Sequence, residues 1–169
     1  MIRKQFSNGN IWLFFAIMIM GLLFFSSTMT YSDQSQVSNL EHFLRNEPFF
    51  DLFSRVRFYY AGSEVSVGHL GYFRFVEFFV RKGAHFFSYF FLGICWFIGL
   101  KNKFRSDYFL FALLAFLAAA GYGGLDEAHQ MFTHERSPLF EDVLLNSSGA
   151  LVGVVLVFVV SGIKRIKKG

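Results

Sequence analysis

The sequence predicts an all-α membrane protein, a bundle of four transmembrane helices with an outward amphipathic or interfacial segment between helices 1 and 2. Composition is the first reason: of 169 residues 54% are hydrophobic and 21% aromatic, with 26 Phe and a mean hydropathy of +0.42. Such a chain must bury most of its surface in lipid. Charge placement is the second. Eleven of the twelve acidic residues fall within Tyr31 to Lys82 and Asp126 to Asp142, and long apolar runs separate both stretches from the most basic parts of the chain.

Four runs, approximately 10–28, 83–100, 108–125 and 143–162, come close to the roughly 20 helical residues that cross a hydrocarbon core. The segments on one side of them carry Arg3 and Lys4, then Lys101, Lys103 and Arg105, then Lys164, Arg165, Lys167 and Lys168, against the single acid Asp107. Because Lys and Arg stay on the cytoplasmic side, the chain reads as a multi-pass protein of the cell membrane with both termini cytoplasmic. Residues 29–82 and Asp126 to Asp142 then face outward. With no internal repeat, 1–169 forms a single domain.

The first run follows Arg3 and Lys4 as a signal peptide would. Its apolar core continues through Phe24 and Phe25 without a small-x-small cleavage site, which favours an uncleaved anchor. Cys95, the one cysteine, permits no intramolecular disulfide and reads as a small buried apolar side chain.

In the outward segment, Ser38-x-x-Glu41 has the form of a capping box opening an amphipathic helix through Leu40, Phe43 and Leu44, with Pro48 breaking or restarting it. Together with Phe49, Phe50, Phe53, Phe58, Tyr59 and Tyr60, two arrangements are open: a segment lying on the outer membrane surface, or an aromatic lid packed over the bundle. Gly62, Gly68 and Gly71 mark turns before a helix that starts near Gly71 or Phe73, ahead of the second span.

Polar side chains at membrane depth are costly, so their positions are the best guide to function. On the second span Lys82, His85 and Tyr89 share one helical face. Snorkelling and interfacial anchoring are the bland account of Lys82 and Tyr89. On the third, Asp126, His129 and Gln130 share a face with Glu127 one step round; Lys82 and Arg136 are the obvious counter-charges. On the fourth, Asp142, Asn146, Gly149 and Gly153 fall in one narrow wedge, polar groups above and packing glycines below. Ser137 and Pro138 suit the start of that helix. The alternative is architectural, with these side chains serving only as interhelical hydrogen-bond partners.

The combined pattern, Lys82-x-x-His85-x-x-x-Tyr89, Asp126-Glu127-x-x-Gln130, Arg136 and Asp142-x-x-x-Asn146 with the two glycines, resembles the VanZ-like membrane protein family from about Thr30 to Gly153. Tyr31-Ser32-Asp33-Gln34-Ser35 is similar as well, and Ser88 stands where family members often carry an acid. The resemblance implies a multi-pass cell-envelope protein, and the family's name-giving member lowers susceptibility to the glycopeptide teicoplanin.

Asp126-Glu127-Ala128-His129 spells a helicase string, but no phosphate-binding loop accompanies it. The basic residues form no stripe interleaved with exposed aromatics, so nucleic acid is not an expected partner. His85, His129, His134 and Glu127 lack a zinc-site spacing, so no metal and no cofactor is expected. The expected partners are membrane lipid, a lipid-linked envelope precursor or a lipoglycopeptide. The functional expectation is an outward pocket formed by Lys82, His85, Tyr89, Asp126, Glu127, Gln130, Arg136, Asp142 and Asn146 that binds such a ligand. The alternative is a membrane-embedded enzyme acting on a lipid or lipid-linked wall precursor, with His85 or His129 as acid and base. No catalytic residue is assigned, because no nucleophile motif is present.

Overall fold

A computed structural model describes residues 8–104, 107–132 and 138–166. Four helices among them are long and apolar enough to cross a membrane. The first, α1 (Gly9–Ser27), is capped by Asn8, whose side chain accepts from the Asn10 amide at 3.0 Å. Large apolar side chains such as Phe14, Ile17, Leu22 and Phe25 stay exposed along it, as a lipid-facing helix requires.

The following segment does not remain irregular. It makes three short helices, α2 (Tyr31–Gln34), α3 (Val37–Phe43) and α4 (Phe50–Phe53), then an antiparallel hairpin of β1 (Arg57–Tyr60) and β2 (Ser63–Ser66), then α5 (Val67–Leu70). The strands pair from Arg57↔Ser66 to Tyr60↔Ser63, and the two turn residues Ala61 and Gly62 both have positive φ, at 49° and 78°. The expected Ser38–Glu41 capping box is absent: α3 begins at Val37 after Gln36, which makes no side-chain cap. The capping box lies earlier, between Thr30 and Asp33 at the start of α2. Those two contacts, side chain first, hold the Asp33 carboxyl below the usual carboxylate range.

The long helix α6 (Tyr72–Phe104) starts directly after Gly71 and extends the second span by more than two turns toward the acidic end. This start agrees with the helix expected from Gly71 or Phe73. At about 1.5 Å per residue a helix of 33 residues is about 50 Å long, well beyond a hydrocarbon core of about 30 Å. Its first turns carry Tyr72 and Phe75 into a small cluster with Val65 and Val67, against which Leu44, Phe53, Phe58 and Tyr60 pack. The segment is thus a folded cap resting on α6, while Phe43, Phe49 and Tyr59 remain exposed on its surface.

The bundle is completed by α7 (Tyr108–Gln130) and α8 (Phe140–Ile166). Asp107, the lone acid among the basic segments, caps α7 by accepting from the Phe109 and Leu110 amides at 2.9 and 3.0 Å. Pro138 lies outside α8, which instead opens with Asp142 and Val143 amides donating to the Leu139 carbonyl; Ser137 lies outside the described residues. Small residues set the packing of α8 on α6. A Cβ on Gly149 would collide with the Phe86 carbonyl oxygen, one on Gly153 with that of Phe90, and one on Gly93 would sit 2.6 Å from the Ala150 carbonyl oxygen. Helix α1 approaches α6 in the same way, Gly99 against Leu13.

Candidate functional site

Polar side chains gather where α1 and α7 end and where α6 and α8 begin. Along one face of α6 run Glu77, Arg81, His85 and Ser88, and all four line a cavity of about 380 Å³. Asp126 and Gln130 of α7 form its far wall, and Ser26 and Ser27 close it from α1. Its roof is the α2 region. The Gln34 side-chain amide donates to the Ser26 carbonyl at 2.6 Å and to Ser26 Oγ at 2.7 Å, while Glu77 Oε1 accepts from Ser35 Oγ at 2.9 Å and from the Gln36 amide at 2.6 Å. Glu77 is only 3% exposed, so these donors replace the water its carboxylate has lost.

A second cavity of about 400 Å³ adjoins it. The two share Leu23, Ser26 and Ser88, and the second runs between Ile19 and Leu22 of α1 and Phe91 of α6. The lining is thus charged in the first cavity and largely apolar in the second.

A second polar group lies on the α8 side of α6. Lys82 Nζ donates to Asp142 Oδ1 at 2.5 Å, and the Tyr60 hydroxyl donates to the same oxygen at 2.6 Å. The Lys82 ammonium also stands 4.6 Å from the Tyr60 ring centroid and 5.5 Å from that of Phe78. Burial, then the hydrogen bond to Asp142, raise the Tyr60 phenol above its ordinary range. Nearby, Glu127 accepts from the Leu139 amide and from the Gln130 side chain, each at 3.4 Å.

Beneath both groups the Tyr89 hydroxyl donates to Asp126 Oδ2 at 3.1 Å. Asn146 is fully buried next to it: a Cβ on Gly123 would lie 3.3 Å from both Asn146 Cβ and Tyr89 Cε1. Asp126 Oδ1 and both polar atoms of Asn146 have no hydrogen-bond partner among the described residues.

Of the residues singled out from sequence, His85, Asp126 and Gln130 line the cavity, Lys82 and Asp142 pair on the other side of α6, and Tyr89 and Asn146 form the floor between. Glu127 bridges α7 to the start of α8, and Arg136 lies outside the described residues. Gly149 and Gly153 carry the α6–α8 contact. Sequence reading missed Glu77 and Arg81 as members of the site, although Glu77, Arg81 and His85 follow one another at intervals of four within the helix expected to start near Gly71 or Phe73. It also missed Tyr60 and Ser27. Ser27 Oγ lies 2.8 Å from His129 Nδ1, a pair joined across 102 residues of sequence. Among the described residues no group of three His, Cys, Asp or Glu is placed to hold a metal.

Four helices of membrane length and hydropathy define a multi-pass α-helical membrane protein. Its family can also be stated: the VanZ/LLP1 family model matches residues 12–161, and the chain belongs to that family. No curated protein and no solved structure matches it.

Proposed function

We propose that this protein binds an amphipathic ligand, a membrane lipid, a lipid-linked wall precursor or a lipoglycopeptide, with the ligand's polar part in the cavity between α1, α6 and α7. The acidic end faces outward across the cell membrane, following the Lys and Arg asymmetry. The observation that carries the reading is that the two cavities lie side by side, with Leu23, Ser26 and Ser88 lining both. A charged chamber beside a largely apolar one suits a head group joined to a chain and suits neither a soluble ion nor a purely apolar molecule. In this reading, occupation of the site lowers teicoplanin susceptibility in cells that carry the protein.

The test is teicoplanin susceptibility of cells expressing the chain or its Asp126→Asn, Glu127→Gln, Arg136→Gln and Asp142→Asn variants at matched membrane levels. Protection by the unmodified chain and its loss in the variants is the expected result. Full protection by every variant would remove the polar end as the functional site, and no protection by the unmodified chain would separate it from the teicoplanin phenotype.

One observation favours a second reading, that of a membrane-embedded hydrolase. Ser27 Oγ lies beside His129 Nδ1 and Ser27 lines the cavity. With its hydroxyl re-aimed from the Phe24 carbonyl, to which it donates at 2.9 Å, Ser27 could attack an ester of the bound lipid as His129 takes its proton; the ester C–O bond breaks, His129 returns the proton to the departing alcohol, and water then hydrolyses the acyl-Ser27 ester to free fatty acid. Release of fatty acid from added lysolipid by the purified protein, abolished by Ser27→Ala, would establish it. Its absence leaves a binding protein.

A further inference from the structure

We infer a separate lipid site at the opposite, basic end of the bundle: an anionic phospholipid with its phosphate at Lys101 and Ser161 and acyl chain in the groove between α7 and α8. It does not depend on what the polar cavity holds. The groove has a volume of about 300 Å³ and walls without polar surface. Phe109, Leu113 and Phe116 of α7 line it together with Leu151, Val155 and Phe158 of α8. The two helices run in opposite directions, so Phe109 and Phe158 stand at the basic end. Phe116 and Leu151 lie seven residues deeper, about 10 Å at 1.5 Å per residue. Leu113, Leu151 and Val155 are exposed, so the groove opens on the outer face of a membrane-spanning pair of helices. At that depth a bilayer offers hydrocarbon and no water to fill it.

The charge of the lipid follows from the contacts beyond Phe158. Lys101 Nζ donates to Ser161 Oγ at 2.7 Å, three residues past the end of the groove. The ammonium also lies 5.8 Å from the Phe97 ring centroid and 5.6 Å from that of Tyr108, and these two rings stand 6.2 and 5.6 Å from the Phe158 ring. Lys101 is thus half-buried at the mouth of the groove. The serine hydroxyl takes one of its three N–H groups and none of its charge. Among the described residues the ion pairs are Arg57–Glu64 and Lys82–Asp142, so Lys101 meets no carboxylate there. A phosphate supplies both the missing charge and further acceptors. The lipid is anionic rather than zwitterionic because nothing at this end suits an ammonium: nine Lys and Arg stand against the single acid Asp107, which already accepts from the Phe109 and Leu110 amides.

The experiment titrates the full-length protein, purified in a non-lipid detergent, by native mass spectrometry with dioleoyl phosphatidylglycerol and dioleoyl phosphatidylcholine. The first lipid molecule bound should be held about tenfold more tightly when it is phosphatidylglycerol, as one charge-assisted contact implies. Lys101→Met keeps the length of the side chain and removes its charge, and should bring that ratio close to one. Lys103→Met, at an exposed lysine two residues on, should leave the ratio unchanged. Ser161→Ala should lower it in part, and serves if Lys101→Met does not fold. Val155→Phe fills the groove from an exposed position and should weaken binding of phosphatidylglycerol about fivefold. Glycerol 3-phosphate in excess should not displace the lipid. Equal binding of the two lipids by the unmodified protein, or equal losses in Lys101→Met and Lys103→Met, would reduce the site to diffuse charge and overturn it. Unchanged affinity in Val155→Phe would remove the chain from the groove, and displacement by glycerol 3-phosphate would make the site one for free phosphate; either result also overturns the inference.

Discussion

The Tyr60 hydroxyl and Asp142 Oδ1, 2.6 Å apart, join the hairpin of the cap to the first turn of α8 across 82 residues. With Lys82 on the same oxygen and over the Tyr60 ring, this is the point where cap and bundle are held together.

Tyr60→Phe keeps the ring under Lys82 and removes only the hydroxyl, so it should destabilise the protein by about 1 kcal/mol in chemical unfolding near neutral pH. The pH dependence follows from the raised phenol. Its folded-state value lies above that of the unfolded chain, so its contribution is complete below about pH 10 and declines as pH rises above that. The stability gap between the unmodified protein and Tyr60→Phe should therefore narrow above pH 10; a gap that stays constant or widens would contradict this.

Lys82 and Asp142 are each 14% exposed in their side chains, so removing one leaves the other desolvated and unpaired. Lys82→Met should cost about 3–5 kcal/mol, and Lys82→Met with Asp142→Leu should recover most of the loss. Thermal unfolding in detergent, followed by circular dichroism, measures both. A double variant as unstable as the single one would show that the pair matters for more than charge balance.

Gly149→Ala places a methyl against the Phe86 carbonyl oxygen, an atom that cannot move without separating two helices. A loss of about 1–3 kcal/mol is expected. Gly121→Ala is the control, because a Cβ there meets nothing within 4 Å and the change should be neutral or stabilising. Equal effects at both positions would show that α8 does not depend on close approach to α6.

Orientation is tested with single cysteines at Lys103 and His134 in a chain whose Cys95 is replaced. Impermeant thiol reagent added to intact cells should modify only the His134 position. Modification at Lys103 instead would turn the bundle over and place the cavity inside.

The span positions could be read almost directly, since membrane helices declare themselves through length and hydropathy alone. The start of α6 near Gly71 was legible as well, although Arg74, Glu77, Arg81 and Lys82 break the apolar run; what the sequence did not show is that Val65 and Val67 of the cap pack on its first turns at Tyr72 and Phe75. The hairpin did have a signal, β-forming Arg57–Tyr60 followed by Ala61 and Gly62, but it was obscured by the aromatic run around it.

By itself, then, the sequence determined a helical bundle with four spans, the family to which it belongs, and which stripes carry polar groups, because these depend on composition, motif and local periodicity. Only the tertiary structure decided that Lys82 turns to Asp142 while Arg81 and His85 face a cavity. The two faces of α6 are adjacent on the helix, and which neighbour each meets depends on how glycine contacts set the packing of α8 and α1. It also decided that Ser27 meets His129 and Tyr60 meets Asp142, pairings made by helix packing and chain reversal that no local pattern encodes.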